Sequence, residues 1–145
     1  MFYLIEKTMK KLIICLIMAA PTFSCSVSSE STPVDTQELL PIESVTIPEE
    51  FVLGETYEIA VTYLRPTTCH AFNDIYYLKQ GNERTIAVVS TVFTSNGNCE
   101  ALTDTTLGAT FDFEAEEPGS YIFKFWEGKD AEGQDTYLTI EVPVN

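Results

Sequence analysis

His70 is the only histidine in the 145 residues, and its sequence neighbour is Cys69. A hydrolytic triad needs a nucleophile, an imidazole base and an orienting acid. With neither a second histidine nor a cysteine nucleophile to work with, His70 predicts no such triad and reads as a hydrogen-bonded loop residue. Cys69, Cys99 and His70 together fall one ligand short of the usual four for zinc, so no metal site is expected. The acid pairs Glu49-Glu50 and Glu116-Glu117 suggest no glycosidase, because adjacent residues on a strand point to opposite faces and cannot flank one substrate. Acids recur at every second or third position from Gly128 to Asp135. That spacing lacks the full ligand ladder of a calcium loop with its distal Glu, and it predicts a hairpin turn with solvated charges. No catalytic residue, cofactor or metal is therefore expected, and the chain reads as non-enzymatic.

The first 24 residues have a different task. Lys7, Lys10 and Lys11 form a basic region, and Leu12 to Ala20 form an apolar run of nine that contains one Cys. Nine residues are too few to span a bilayer, which needs about 20. Together the two regions have the layout of a signal peptide, with Met9 the expected true start. The run ends in Pro21-Thr22-Phe23-Ser24-Cys25, a small residue placed directly before a cysteine. Here the chain resembles bacterial lipoproteins with a lipobox, although Thr22 stands where that motif most often has Leu. The resemblance implies cleavage after Ser24 and acylation of Cys25. Each buried CH₂ of the lipid would contribute about 0.8 kcal/mol, so several acyl chains would hold the protein on the membrane. The expected location is the bacterial cell envelope, the outer membrane in preference to the inner, with the domain outside the cytoplasm.

Formal net charge is −14, from 22 acidic and 8 basic residues. Removing three Lys and one Glu with residues 1–24 leaves 21 acidic and 5 basic, or −16. Such a surface would repel phosphates, which argues against nucleic acid and against an electrostatic hold on anionic headgroups. The membrane is expected as a partner only through the lipid anchor, with another envelope protein or an extracellular ligand as the binding partner.

Residues 25–41 carry the lipidated Cys and then Ser, Thr, Glu, Asp and Pro without periodicity, a composition that reads as a flexible, disordered tether. From residue 42 to 145 period-two alternation and short apolar runs recur between Gly, Pro, Asn and Asp. Strands are expected over Ile42–Ile47, Tyr57–Leu64, Phe72–Leu78, Thr85–Phe93, Ala109–Glu114, Tyr121–Glu127 and Thr136–Val142. About seven strands in some 100 residues predict an all-β fold, an immunoglobulin-like antiparallel β-sandwich. Ile86-Ala87-Val88-Val89 is apolar on both faces and suggests a central strand or a covered edge, whereas Pro143 belongs at a strand end or sheet edge. Pro118-Gly119-Ser120-Tyr121 resembles the tyrosine corner, which implies that the Tyr121 hydroxyl bonds to the backbone near Glu116.

Cys15 lies in the leader and Cys25 at the lipidation site, leaving Cys69 and Cys99 for the exported domain. A Cys69–Cys99 disulfide is expected in an oxidising compartment. Both cysteines sit in loops, so the bond would staple two loops and would not replace the inter-sheet bridge of antibody domains. Stapled loops on a rigid scaffold are a candidate recognition surface, here Pro66, Thr67, Thr68, His70, Asn96 and Gly97. Trp126, the single Trp, shares the Ile122 and Lys124 face of its strand and is a further candidate contact.

Gly54-Glu55-Thr56-Tyr57-Glu58-Ile59, then Arg65-Pro66-Thr67-Thr68, and later Pro118-Gly119-Ser120-Tyr121 running into Phe125-Trp126, resemble chagasin-type inhibitors of papain-like cysteine proteases. That resemblance implies that Pro66, Thr67, Thr68 and an aromatic-bearing loop with Trp126 enter a protease cleft. Cys69 replaces the family's Gly, and no Arg-Pro precedes Trp126. Over the whole chain the stronger resemblance is to small Bacteroidetes-type lipoproteins with a tether and one β-sandwich, which implies location and architecture but no activity. The expected function is thus a membrane-anchored, non-enzymatic binding or interaction module, with protease inhibition as the alternative.

Overall fold

The computed structural model describes residues 34–94 and 97–145. The expected signal segment over residues 1–24, with Met9, and also Cys25 and Asn96, lie outside the described residues. Eight strands follow one another: β1 Thr36–Leu40, β2 Ile42–Thr46, β3 Thr56–Leu64, β4 His70–Gln80, β5 Glu83–Val92, β6 Thr106–Glu114, β7 Gly119–Lys129 and β8 Asp135–Val144. They form two sheets, one of five strands and one of three in the order β2-β3-β6. The all-β sandwich expected from the alternation is the fold observed.

The larger sheet is organised around β5, the strand that is apolar on both faces. On one edge β5 pairs with β4 along its length, from Gln80↔Glu83 to His70↔Val92. On the other edge β7 pairs with residues 83–86 and β1 with residues 88–92. β8 then pairs with β7 and carries Pro143 at the far edge. Two features depart from the sequence expectation. β5 and β7 run parallel, so the two-sheet architecture is kept but its pairing is not strictly antiparallel. The expected tether over residues 25–41 also ends earlier, because Thr36–Leu40 is a strand hydrogen-bonded to β5 and Leu40 is buried. The domain therefore begins before residue 42. A segment this polar shows no clear period, and the open edge of β5 orders it by supplying backbone partners.

Alternation decides what faces inward. From β7 come Tyr121, Phe123 and Phe125, and from β5 Ile86 and Val88, all buried between the sheets against Ile59, Val61 and Phe113 of the smaller sheet. Phe51, in the loop between β2 and β3, closes the cluster with its ring centre 5.0 Å from Phe113 and 4.8 Å from Tyr57. The corner at Tyr121 forms as expected: its hydroxyl oxygen accepts the Glu117 N–H at 2.9 Å. Tyr57 repeats the device by accepting the Val52 N–H at 2.8 Å.

Among the described residues one arginine is buried in the core, which strand alternation does not foreshadow. Arg84 points inward from β5 and is 2% exposed. Its Nη1 donates to the Gly81 and Glu83 carbonyls at 2.7 and 2.8 Å, and its guanidinium lies 4.8 Å from the Tyr121 ring centre and 5.9 Å from that of Phe113. Carbonyl oxygens and aromatic faces offset the loss of water here, where a buried charge would ordinarily take a carboxylate.

Candidate functional site

The described residues of the stapled loops are tied together by bonds within the chain. The Cys69–Cys99 disulfide is formed, with the two Cα atoms 5.3 Å apart. Thr67 bridges Ala101, the Thr68 N–H donates to the Glu100 carbonyl at 2.9 Å, and the Glu100 N–H donates to the Thr68 hydroxyl at 3.1 Å. Pro66 and Thr68 are exposed, Thr67 is half-buried, and Gly97 is exposed with φ +67°.

His70 is buried at the start of β4, and its ring is bonded on both sides. Nε2 lies 2.6 Å from a carboxylate oxygen of Glu38, and Nδ1 lies 2.7 Å from the Thr67 hydroxyl. An ionised carboxylate only accepts, so Nε2–H donates to Glu38, and the Thr67 hydroxyl is the partner of Nδ1. The hydrogen bonding expected of His70 is present, but the residue is buried and opens a strand, where the sequence suggested an exposed loop position. Glu38 escaped notice because it belongs to β1, in the stretch expected to be tether. Carboxylate, imidazole and hydroxyl stand in the order of a hydrolytic relay. The hydroxyl, however, is the secondary one of Thr67, held within a three-residue turn and already accepting the Cys69 N–H at 3.2 Å. The chain of bonds ties β1 to the stapled loop.

Trp126 does not join the loop residues. It lies inside β7, on the outer face of the five-stranded sheet, so the aromatic-bearing loop implied by the inhibitor resemblance is not formed around it. One row of residues crosses four strands at this level. Tyr76 of β4 is the cross-strand partner of Ala87 in β5, Ala87 follows the Ile86↔Phe125 pair beside Trp126, and Trp126 is the partner of Tyr137 in β8. Ala87 is too small to fill its place in the row, and it is 1% exposed although it faces outward. The result is a groove of about 510 Å³ with Ala87 and Thr85 as floor. Tyr76 and Leu78 of β4 wall one side, and Leu39 of β1, Trp126 of β7 and Tyr137 of β8 the other, with Gln80, Lys124, Asp135 and Thr139 completing the lining.

The groove's two charged side chains and its indole are held by bonds within the protein. The Trp126 indole N–H donates to Asp135 Oδ1 at 2.9 Å, and Lys129 Nζ donates to the same oxygen at 2.8 Å. Lys124 Nζ donates to Glu83 at 2.6 Å. Asp135 is consequently held below the ordinary carboxylate range, chiefly by the Lys129 hydrogen bond and then by the indole. A depressed carboxyl stabilises the fold above its unfolded pKa and loses that contribution as pH falls through the folded value. The single-Trp fluorescence is therefore expected to stay constant as pH falls through the usual Asp value of 3.8 and to change only below it. Asp135→Asn should abolish that step while circular dichroism shows the strands intact; a step unchanged in the variant would refute the assignment.

A second cleft of about 490 Å³ lies between β4 and β6, lined by Asp74, Tyr77, Lys79, Arg84, Asp112 and Glu116 among others. Tyr77 and Phe111 stack edge to face there at 6.0 Å, and Lys79 is paired with Glu116 at 2.7 Å. Its rings are engaged with each other and close the gap between the sheets. Among the described residues no three His, Cys, Asp or Glu side chains converge as metal ligands would.

The chain matches no protein-family model, and comparison with curated proteins and with solved structures finds no significant likeness.

Proposed function

We propose that the chain is a non-enzymatic binding module of the bacterial cell envelope, lipid-anchored through Cys25, that takes its ligand in the groove on the outer face of the five-stranded sheet. The observation that carries this reading is the row Tyr76, Ala87, Trp126, Tyr137, in which bulky rings flank a small floor. Ligand sites are concave and largely preformed, with aromatic walls and a few fixed polar groups. The indole is already oriented by Asp135, so little side-chain freedom would be lost on binding. The anchor rests on the basic and apolar regions and on Ser24-Cys25, and it would hold the domain outside the cytoplasm.

Two measurements test the proposal. Radiolabelled palmitate should enter the chain and fail to enter Cys25→Ala; equal labelling of both removes the anchor. For the groove, the purified full chain is titrated with a set of neutral oligosaccharides, an anionic oligosaccharide, an uncharged extended peptide and lysophosphatidylcholine below its micellar concentration. A saturable change in Trp126 fluorescence with any of them supports the groove. No change with all of them overturns it.

A further inference from the structure

We infer that the groove's ligand is a neutral glycan, an extracellular polysaccharide of uncharged pyranose units. The inference rests on the groove being the binding site and concerns only what fills it.

Charge removes most alternatives. The chain carries a net −14, yet the groove holds one acid and one base, and both are paired within the protein, Asp135 with Lys129 and Trp126, and Lys124 with Glu83. A cationic ligand would find no free carboxylate, and an anionic one would meet no free ammonium while approaching a strongly acidic surface. What remains is a ligand without charge.

The walls specify its shape. Tyr76 and Trp126 stand on strands separated by β5, two strand spacings or roughly 10 Å apart, with Ala87 between them. Tyr76 and Tyr137 keep about two-fifths of their surface exposed, 41% and 38%. Rings of this kind present a flat π face with a polar rim. A pyranose is the complementary object, because its axial C–H groups form an apolar face and its hydroxyls project around the edge. Stacked on an aromatic wall, it would turn those hydroxyls toward Gln80, Thr85 and Thr139, side chains able both to donate and to accept. A purely aliphatic ligand would leave these groups without partners at a cost. An uncharged peptide strand would seek backbone partners along a sheet edge, whereas the groove lies on the face of the sheet across paired strands.

Isothermal calorimetry on the purified full chain tests the inference with cellohexaose and maltohexaose as neutral glycans, hexagalacturonate as the anionic one, an uncharged extended peptide and lysophosphatidylcholine. At least one neutral hexasaccharide should bind saturably, and hexagalacturonate should bind at least tenfold more weakly. Trp126→Ala and Tyr76→Ala should each weaken binding tenfold or more, whereas Trp126→Phe, which keeps a ring, should lose less. Urea midpoints near that of the parent would show that the variants are folded, and Tyr137→Ala serves if either alanine variant is not. Binding by the peptide or the lysolipid alone, reduced by the groove variants, overturns the glycan inference and leaves the groove standing. Neutral-glycan binding unaffected by every groove variant overturns the inference, since the sugar then sits elsewhere. No binding and no Trp126 response with any probe overturns both.

Discussion

Phe123→Ala is expected to lower the unfolding free energy by about 3–5 kcal/mol, the range for deleting a fully buried aromatic ring. Phe123 is 0% exposed, and its ring centre lies 5.0 Å from Phe113, 6.0 Å from Phe51, 6.0 Å from Phe125 and 6.5 Å from Tyr121. Relaxation into the cavity is obstructed on two sides. Phe113 and Tyr121 are held beneath the Arg84 guanidinium, and the Tyr121 hydroxyl is tied to Glu117. Neither ring can move inward without breaking a contact, which places the cost toward the upper end. For a domain near 100 residues a loss of this size corresponds to roughly 4–8 °C in Tm per kcal/mol. Urea unfolding read by circular dichroism checks it, with exposed Leu64→Ala as the control. A Phe123→Ala midpoint no lower than that of Leu64→Ala would mean that the two sheets are not packed as described.

The second large effect is expected from opening the Cys69–Cys99 bond. The cysteines are 30 residues apart, and in the chain-entropy model closing a loop of this length stabilises the fold by roughly 3–4 kcal/mol. The loop contains β4 and β5, so reduction frees the unfolded chain across the middle of the larger sheet. It also loosens the turn in which the Thr67 hydroxyl meets His70, and with it the bond from His70 to Glu38 that fixes β1. Two measurements separate these consequences. A Cys69→Ser/Cys99→Ser double variant should show the lower urea midpoint, and amide exchange should accelerate first in β1 and at the start of β4. The Trp126 end of the groove should keep its protection until global unfolding. An unchanged midpoint in reductant would show that the staple adds nothing to the packed core.

These outcomes bear on different parts of the molecule. The core and the staple set stability, while the groove is built from outward-facing residues of the same strands. Trp126→Ala and Tyr76→Ala are therefore chosen to disturb ligand binding far more than folding.

Much of the architecture follows from local pattern. Alternation in Tyr57-Glu58-Ile59-Ala60-Val61 and Tyr121-Ile122-Phe123-Lys124-Phe125 fixes both the strands and which side chains are buried, because a strand's side-chain period is two whatever its neighbours are. The corner at Tyr121 is similarly local, its hydroxyl reaching an amide four residues back. The pairing of Cys69 with Cys99 follows from counting, since they are the two cysteines outside the first 25 residues. Only the tertiary structure decided the rest. Whether β5 lies beside β7, and in which direction, depends on edges far apart in sequence, and no local preference encodes it. β1 is a strand because the free edge of β5 accepts it, which is also why Glu38 could not be recognised as the partner of His70. The outward position of Trp126 on the Lys124 face was legible from residue parity. The groove was not, since its row takes one residue from each of four strands and exists only once their registers are set.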